Sequence, residues 1–369
     1  MIYPEFLKEN DYIGITAPSD GVVEKIDIFR LNNAISKFEK LGYKIKETKD
    51  VRTSIKGKSA PSKLQAKELG DLFKDKETKC IICAGGGDFL LEMLSEVDLG
   101  AIKNNPKWLQ GYSDPTGLLF TITTNLDIAT IYADNFKGFG MEEWHKSLKD
   151  NLKILEGNLI KQESFEKYES TRPERLIGNE GYNLDKKVKW ENFNSEDINI
   201  TGRIIGGCLD ILSELFGTRF DKTKNFIEKY KDDGIIWYFE NCEMTSENII
   251  RTLWKFKDNG WFNHTKGIVF GRSALEQSCY DISFKEAVTR VLGELNIPMI
   301  FNADIGHVSP RMTIINGAIC NIISKDGKGE ITFELRWDVS SDMWDVWGEI
   351  WGKIFEAMKK RFLLLRVFL

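Results

Sequence analysis

Histidine is scarce in this chain: 3 in 369 residues. Any imidazole base must be His145, His264 or His307. Cysteine is also sparse, and 6 in a chain this long do not make the disulfide framework that staples small secreted domains. One pair, Cys80-Ile-Ile-Cys83, has redox or metal spacing. It lies inside an apolar strand-like run with no second pair beside it, so it reads as structural. No apolar run is long enough to span a bilayer. Met1-Ile-Tyr-Pro-Glu-Phe lacks the charged region and long apolar stretch of a signal peptide, so the expected setting is a reducing cytoplasm. A basic excess is missing too: 51 Lys and Arg face 56 Asp and Glu, for a net charge of -5. Phosphate backbones require a basic stripe, so nucleic acid is not an expected partner. There is neither an internal repeat nor a low-complexity tract.

What is present is a long chain that is 42% hydrophobic, enough for a sizeable core and, by length, two domains. Asp11 to Pro18 reads as a buried strand, Val22 to Leu41 as a helix closed by Gly42, and Tyr43 to Thr48 as a second strand. Ser62 to Phe73 is amphipathic and helical. Lys79 to Ala84 is a third strand running into Gly85-Gly86-Gly87, and Trp108 to Gly111 is a short fourth. This alternation predicts an α/β fold with a parallel sheet covered by helices. Ligands of such sheets gather at the carboxyl ends of the strands. Pro18, Gly85 to Gly87 and Ser113 all lie at such ends. The segment Gln162 to Asn199 is polar and reads as a linker plus insertion. A second domain begins near Ile200, with strands at Thr201 to Cys208, Gly234 to Glu240, Lys266 to Gly271 and Pro298 to Asn302, and helices at Glu247 to Lys257 and Ser283 to Leu295.

The string Trp108-Leu-Gln-Gly-Tyr-Ser-Asp-Pro-Thr-Gly117 carries the strongest chemical signal. Gly111 permits a sharp turn, Ser113 stands at its apex, and Asp114 is placed to cap a helix that accepts Pro115 in its first turn. Amides at such a helix start can hold an oxyanion. This is how a chain presents a serine nucleophile. Gly85 to Gly87 has no P-loop pattern, and Asp88 would repel a phosphate. Two readings stand side by side: a Gly86 amide that joins the Asp114 amide in an oxyanion hole, or a plain strand-to-helix turn.

A serine hydroxyl needs a base. His145 sits on what reads as a solvated helix face and His264 in a loop. His307 follows a strand in a turn, and position favours it, because strand-end loops build sites. Glu240 ends the apolar run Ile-Ile-Trp-Tyr-Phe, where a carboxylate is costly unless paired. Orienting an imidazole is one such pairing; a helix-cap or surface carboxylate is the alternative. The chain order Ser, Glu, His is that of α/β-hydrolases.

With these residues in place, the chain resembles the serine LD-carboxypeptidase family, which includes the microcin C immunity peptidases. The matching strings are Ile15-Thr-Ala-Pro-Ser19, the glycine run after the third strand, Gly111-Tyr-Ser-Asp-Pro-Thr116, Gly206-Gly207 with Gly217-Thr218, Phe239-Glu240 and Gly306-His307. The resemblance implies an N-terminal flavodoxin-like parallel sheet and a smaller C-terminal swivelling α/β domain. It implies a triad of Ser113, His307 and Glu240, with no metal and no cofactor. It divides the chain into residues 1–165, an insertion at 166–199 and a second domain at 200–337. The chain departs from the family in Cys83-Ala-Gly-Gly-Gly-Asp88, where Arg-Gly-Gly-Tyr-Gly is frequent, and at Cys208, where Gly-Gly-Asn is common. Two substrate classes follow: murein tetrapeptides that lose a terminal D-alanine, and aminoacyl- or peptidyl-nucleotide conjugates. The immunity branch is marked by a longer insertion with an aromatic that stacks on the base. Glu169 to Asn199 fits that insertion, with Trp190 as the stacking candidate or as a packing anchor. Gly207 and Arg251 complete the expected substrate contacts. A non-catalytic ligand-binding α/β protein is the rival reading.

The resemblance stops near Trp337. Beyond it, Trp344, Trp347, Trp351, Phe355, Met358 and Phe362 recur at three- and four-residue steps. Residues 338–369 therefore read as an amphipathic helix. Packing on its own domain or a homodimer contact is expected of it, with membrane-surface contact as the alternative.

Overall fold

The computed structural model describes residues 1–171, 176–194 and 196–336. The expected tail helix lies outside the described residues. Residues Ile2–Leu335 form one compact unit. Among the described residues no helix is long and apolar enough to cross a membrane.

The N-terminal sheet has six strands, in the spatial order Ile314–Asn316, Thr130–Tyr132, Trp108–Gly111, Thr78–Cys83, Tyr12–Thr16 and Lys44–Glu47. Five of them pair in parallel, as the strand–helix alternation predicts. The central strands read as continuous apolar runs because both sheet faces are covered; Ile13, Ile15, Ile81, Ile82 and Leu109 are fully buried. The sixth strand, Ile314–Asn316, comes from far along the chain and pairs antiparallel with Thr130–Tyr132.

The second sheet has eight strands, in the order Gln162–Glu163, Lys328–Glu334, Ile319–Lys325, Ile198–Cys208, Ile235–Glu240, Thr265–Gly271, Met299–Ala303 and Glu191–Asn192. Its four central strands from Ile198–Cys208 to Met299–Ala303 are parallel. The segment read as linker and insertion thus supplies an edge strand at each side of this sheet. The helix Ser246–Asp258 starts where Thr245 accepts the Asn248 amide, and Phe284–Leu292 opens on a full capping box between Ser283 and Glu286.

Aromatic packing ties the two sheets together beside the serine turn. Phe120, on the helix Thr116–Leu126, stacks on Trp261 with centroids 5.7 Å apart and on Trp237 at 6.4 Å. Trp237 belongs to the strand that ends in Glu240. At the start of the same helix, Thr116 Oγ1 accepts the Cys208 amide at 3.3 Å. A Cβ on Gly207, whose φ is 150°, would lie 2.5 Å from the Thr116 methyl. The helix therefore seats against the end of one strand of the other sheet and a mid-strand tryptophan of the next.

Phe120 is fully buried in this contact. Phe120→Ala is expected to destabilise the protein by about 3–5 kcal/mol. The check is the unfolding midpoint in urea or heat; an unchanged midpoint contradicts the role given to this stack.

Candidate active site

The strand Trp108–Gly111 turns abruptly into the helix Thr116–Leu126. Gly111 is required there, since a Cβ would lie 2.8 Å from Pro115 Cβ and 3.1 Å from Cys83 Sγ. Ser113 sits at the apex with φ 71°, a left-handed conformation that costs a non-glycine residue energy and is stored at functional turns. Its carbonyl accepts the Thr116 amide at 2.9 Å, which closes the turn. The Ser113 side chain is half-buried, and among the described residues its hydroxyl makes no hydrogen bond.

Asp114 does not cap this helix as the sequence predicts. Pro115 holds the cap position, with no side-chain cap. The Asp114 carboxylate turns the other way, accepting from the Ser19 hydroxyl and from the Leu90 amide at 2.9 Å. Burial pushes its pKa up, against these two hydrogen bonds. The reason is the sheet's crowded strand ends: the loop at Ser19, the glycine run and the serine turn meet there and need a common acceptor. Gly86 lies in this cluster, its carbonyl accepting from Asp20 at 3.3 Å. A Cβ at Gly86 would lie 3.1 Å from Ser113 Cβ and 3.9 Å from the Asp114 nitrogen. Among the described residues, neither the Gly86 nor the Asp114 amide donates a hydrogen bond.

Glu240 is 0% exposed at the end of its apolar strand. His307 Nδ1 lies 2.8 and 3.0 Å from its two oxygens, and the His307 amide donates to it at 3.3 Å. Gly306 makes this approach possible; it has φ 95°, and a Cβ there would sit 2.5 Å from Glu240 Cβ. Tyr132 donates its hydroxyl to the same carboxylate at 2.5 Å. Burial alone would push the Glu240 pKa up. The His307 charge and the hydrogen bonds from His307 and Tyr132 outweigh burial and hold the carboxyl below its usual range. Glu240 is therefore an anion at neutral pH, and Nε2 is the imidazole nitrogen left to take a proton. The His307 side chain is 13% exposed.

Two contacts bring this pair to the serine. The Tyr112 ring lies edge-on to His307 at 5.1 Å. The Tyr132 hydroxyl, besides donating to Glu240, lies 3.5 Å from the Ser113 amide as its acceptor. Arg311 braces both neighbours. Its guanidinium donates to the Gly306 carbonyl at 2.6 Å, to Ser309 Oγ at 3.2 Å and to the Asp134 carboxylate, and lies 4.1 Å from the Tyr112 ring centre. Burial pushes the Arg311 pKa down, but Asp134 outweighs it and holds the group firmly cationic. Sequence reading passed over Tyr132 and Arg311. Each is marked only by standing at a strand end or just past His307, and its partners come from distant segments.

The other histidines lie elsewhere. His145 caps the helix Lys146–Leu155 through the Ser147 amide and is half-buried between Phe165 and Tyr182, rather than on a solvated face. His264 is exposed, 3.6 Å from Glu228. Trp190 is 2% exposed, donates to Asp304 at 2.9 Å and covers Gly329. Trp190 thus sits among core side chains in this structure, as a packing anchor does. Gly207 faces the Thr116 methyl at the start of the serine helix. Arg251 is exposed, donates to Asn248 at 3.0 Å, and lines a cavity of about 440 Å³ with Asp210, Glu243, Met244 and Lys255. Cys80 and Cys83 are buried free thiols, and burial pushes both pKa values well up, which suits the structural reading. One mixed donor group stands out: Cys208 Sγ, a Glu240 oxygen and a His307 ring nitrogen all lie within 4.8 Å of one another.

Comparison with known proteins shows the family of the chain. The LD-carboxypeptidase N-terminal domain matches residues 13–133, and the LD-carboxypeptidase C-terminal domain matches residues 201–322. The chain is 26% identical to the microcin C7 self-immunity protein MccF of Escherichia coli, over 77% of this chain and 83% of that protein. It is 24% identical to the "Probable murein peptide carboxypeptidase" of Bacillus subtilis, over 85% and 89%. Among solved structures, an MccF-like protein from Bacillus anthracis shares 26% identity and a TM-score of 0.77, covering 91% of this chain and all of that one. MccF in complex with aspartyl sulfamoyl adenosine has the same fold, with a TM-score of 0.76 and 24% identity over 91% of this chain and 100% of that one. With both halves of the family matched in order, this chain belongs to the LD-carboxypeptidase family, a family of peptidases.

Proposed function

We propose that this protein is a serine peptidase whose nucleophile, base and orienting acid are Ser113, His307 and Glu240. The observation that carries the reading is the buried Glu240 carboxylate gripping His307 Nδ1 beside a strained serine turn. Ser113 Oγ attacks the substrate carbonyl carbon as its proton passes to His307 Nε2. Glu240 stabilises the resulting imidazolium. The Gly86 amide of the glycine run and the Asp114 amide beside the serine helix receive the oxyanion. His307 then gives the proton to the leaving nitrogen, and an acyl-enzyme remains. A water molecule repeats the sequence with His307 as base, which frees the acid and restores Ser113.

The substrate class proposed is an aminoacyl- or peptidyl-nucleotide conjugate, of the kind the MccF ligand name describes. Arg251 and Lys255, which share a cavity with Asp210, Glu214 and Glu243 beside the turn after Glu240, are the cations proposed to meet an anionic linkage between acyl group and nucleoside. Trp190 gives this choice no support. The second reading, release of a terminal D-alanine from a murein tetrapeptide, rests on the Bacillus subtilis relative.

Ser113→Ala is expected to fold and to lose more than about 10,000-fold in kcat; normal turnover by that variant contradicts the mechanism. Offered an aminoacyl sulfamoyl-adenosine and a murein tetrapeptide, the wild type is expected to show the higher kcat/KM on the first. The reverse preference moves the protein to the murein branch.

Arg251→Ala is expected to raise KM for the nucleotide conjugate about tenfold, the worth of one charge-assisted contact, with kcat held. An unchanged KM removes Arg251 from the site.

Tyr132→Phe removes a donor to the triad carboxylate. It is expected to lower kcat/KM about 10- to 100-fold, the equivalent of about 1.5–3 kcal/mol. Its sign on pH is specific: without the phenol, more of the Glu240 charge serves the imidazolium, so the acid limb of kcat/KM moves to higher pH. A loss of rate with the profile unmoved assigns Tyr132 to packing alone.

A further inference from the structure

We propose that Cys208, Glu240 and His307 form an inhibitory site for a thiophilic divalent cation such as Zn2+. Its functional consequence rests on the hydrolase reading above; the binding itself does not.

The donor set is a thiol, a carboxylate and an imidazole, the combination that selects zinc over hard cations. Cys208 is the direct register partner of Glu240, each closing its own strand, and Glu240 in turn meets the Gly306-His307 turn. The three ligand atoms already lie within 4.8 Å of one another, with Nδ1 and Oε2 at 2.8 Å. Zinc bonds of about 2.0–2.3 Å put tetrahedral ligand atoms roughly 3.3–3.7 Å apart. The thiol must therefore close by up to about an ångström through its single side-chain torsion, and the Nδ1–carboxylate pair, at 2.8 Å, must open by about half an ångström. The surroundings are acidic. Asp210 Oδ2 accepts from Cys208 Sγ at 3.2 Å, and Glu240 accepts from Tyr132 and His307. A dication held by one thiolate and one carboxylate is locally neutral, so its burial avoids the cost of a lone charge. The partly exposed His307 ring is the side from which an ion would enter.

The chemistry of occupation is definite. Burial and the Glu240 and Asp210 carboxylates push the Cys208 pKa up, as burial does for Cys80 and Cys83. It is therefore the charge of the arriving dication that displaces the thiol proton to solvent as Sγ binds the metal. The metal takes the Nδ1 lone pair, so the imidazole proton that sat on Nδ1 is carried on Nε2 instead. The nitrogen that must accept the Ser113 proton is then already protonated, and Glu240 no longer orients the ring. Hydrolysis stops without any change at the serine.

The test uses the full-length protein with Cys279→Ser, which removes the exposed thiol. It is titrated with Co2+ in a non-coordinating reductant. A near-ultraviolet thiolate-to-cobalt absorption, saturating at one ion per chain and displaced by Zn2+, is expected. Adding Cys208→Ser, shown by its melting curve to be folded, is expected to abolish the band and to raise the Zn2+ concentration that halves hydrolysis at least tenfold. A band of equal strength with and without Cys208, or no band in either protein, overturns the site. If the Cys208-dependent band appears but the protein cleaves neither substrate, the cation site stands and the hydrolase reading falls. If both substrates are tested and one is cleaved with no such band, the reverse holds.

Discussion

The pairing of Glu240 with His307 organises this molecule's chemistry. A carboxylate buried at the end of an apolar strand is unstable on its own account, and losing a partner from such a buried pair costs about 3–5 kcal/mol. His307 and Tyr132 supply the donors that keep it ionised. Gly306 is the residue that lets the histidine backbone come close enough. The requirement reaches outward: Arg311 holds the Gly306 carbonyl and the Tyr112 ring, and Asp134 fixes Arg311. One buried charge thus draws residues from both sheets into a single polar network, and such networks are stable only when fully satisfied.

That network needs the two sheets held in register, and apolar contacts do this. Phe120, Trp237 and Trp261 stack where the serine helix meets the second sheet. The strand Ile314–Asn316, a few residues past Arg311, crosses to pair with Thr130–Tyr132. The segment that carries His307 is therefore anchored in the sheet that presents Ser113. Tyr132 stands at the end of its partner strand, which explains how one phenol can touch both the Ser113 amide and the Glu240 carboxylate.

Much of this was legible in the sequence, for physical reasons. Ser113 is marked by the glycine and proline that a strained turn requires, and Glu240 by a charge where an apolar run ends. His307 is favoured among three histidines by its place after a strand, and the resemblance adds its Gly306-His307 string. The parallel strands are legible because burial on both faces leaves runs such as Cys80 to Cys83. Local signals failed where distant segments decide. Asp114 follows the rule for a helix cap, yet Ser19 and the Leu90 amide claim its carboxylate. Trp190 sits in a polar stretch, yet Asp304 and Gly329, more than a hundred residues on, bury it. Arg311 and Tyr132 carry no motif; their roles exist only once the two sheets are assembled.

The most direct measurement of the central claim is covalent labelling by a fluorophosphonate, mapped by mass spectrometry, since the reagent reports an activated serine without any choice of substrate. The account expects stoichiometric modification of Ser113, slowed at least about 100-fold in Glu240→Gln because the imidazole loses its anionic partner. A folded protein that leaves Ser113 unmodified, or labels equally fast with Glu240 neutralised, contradicts it.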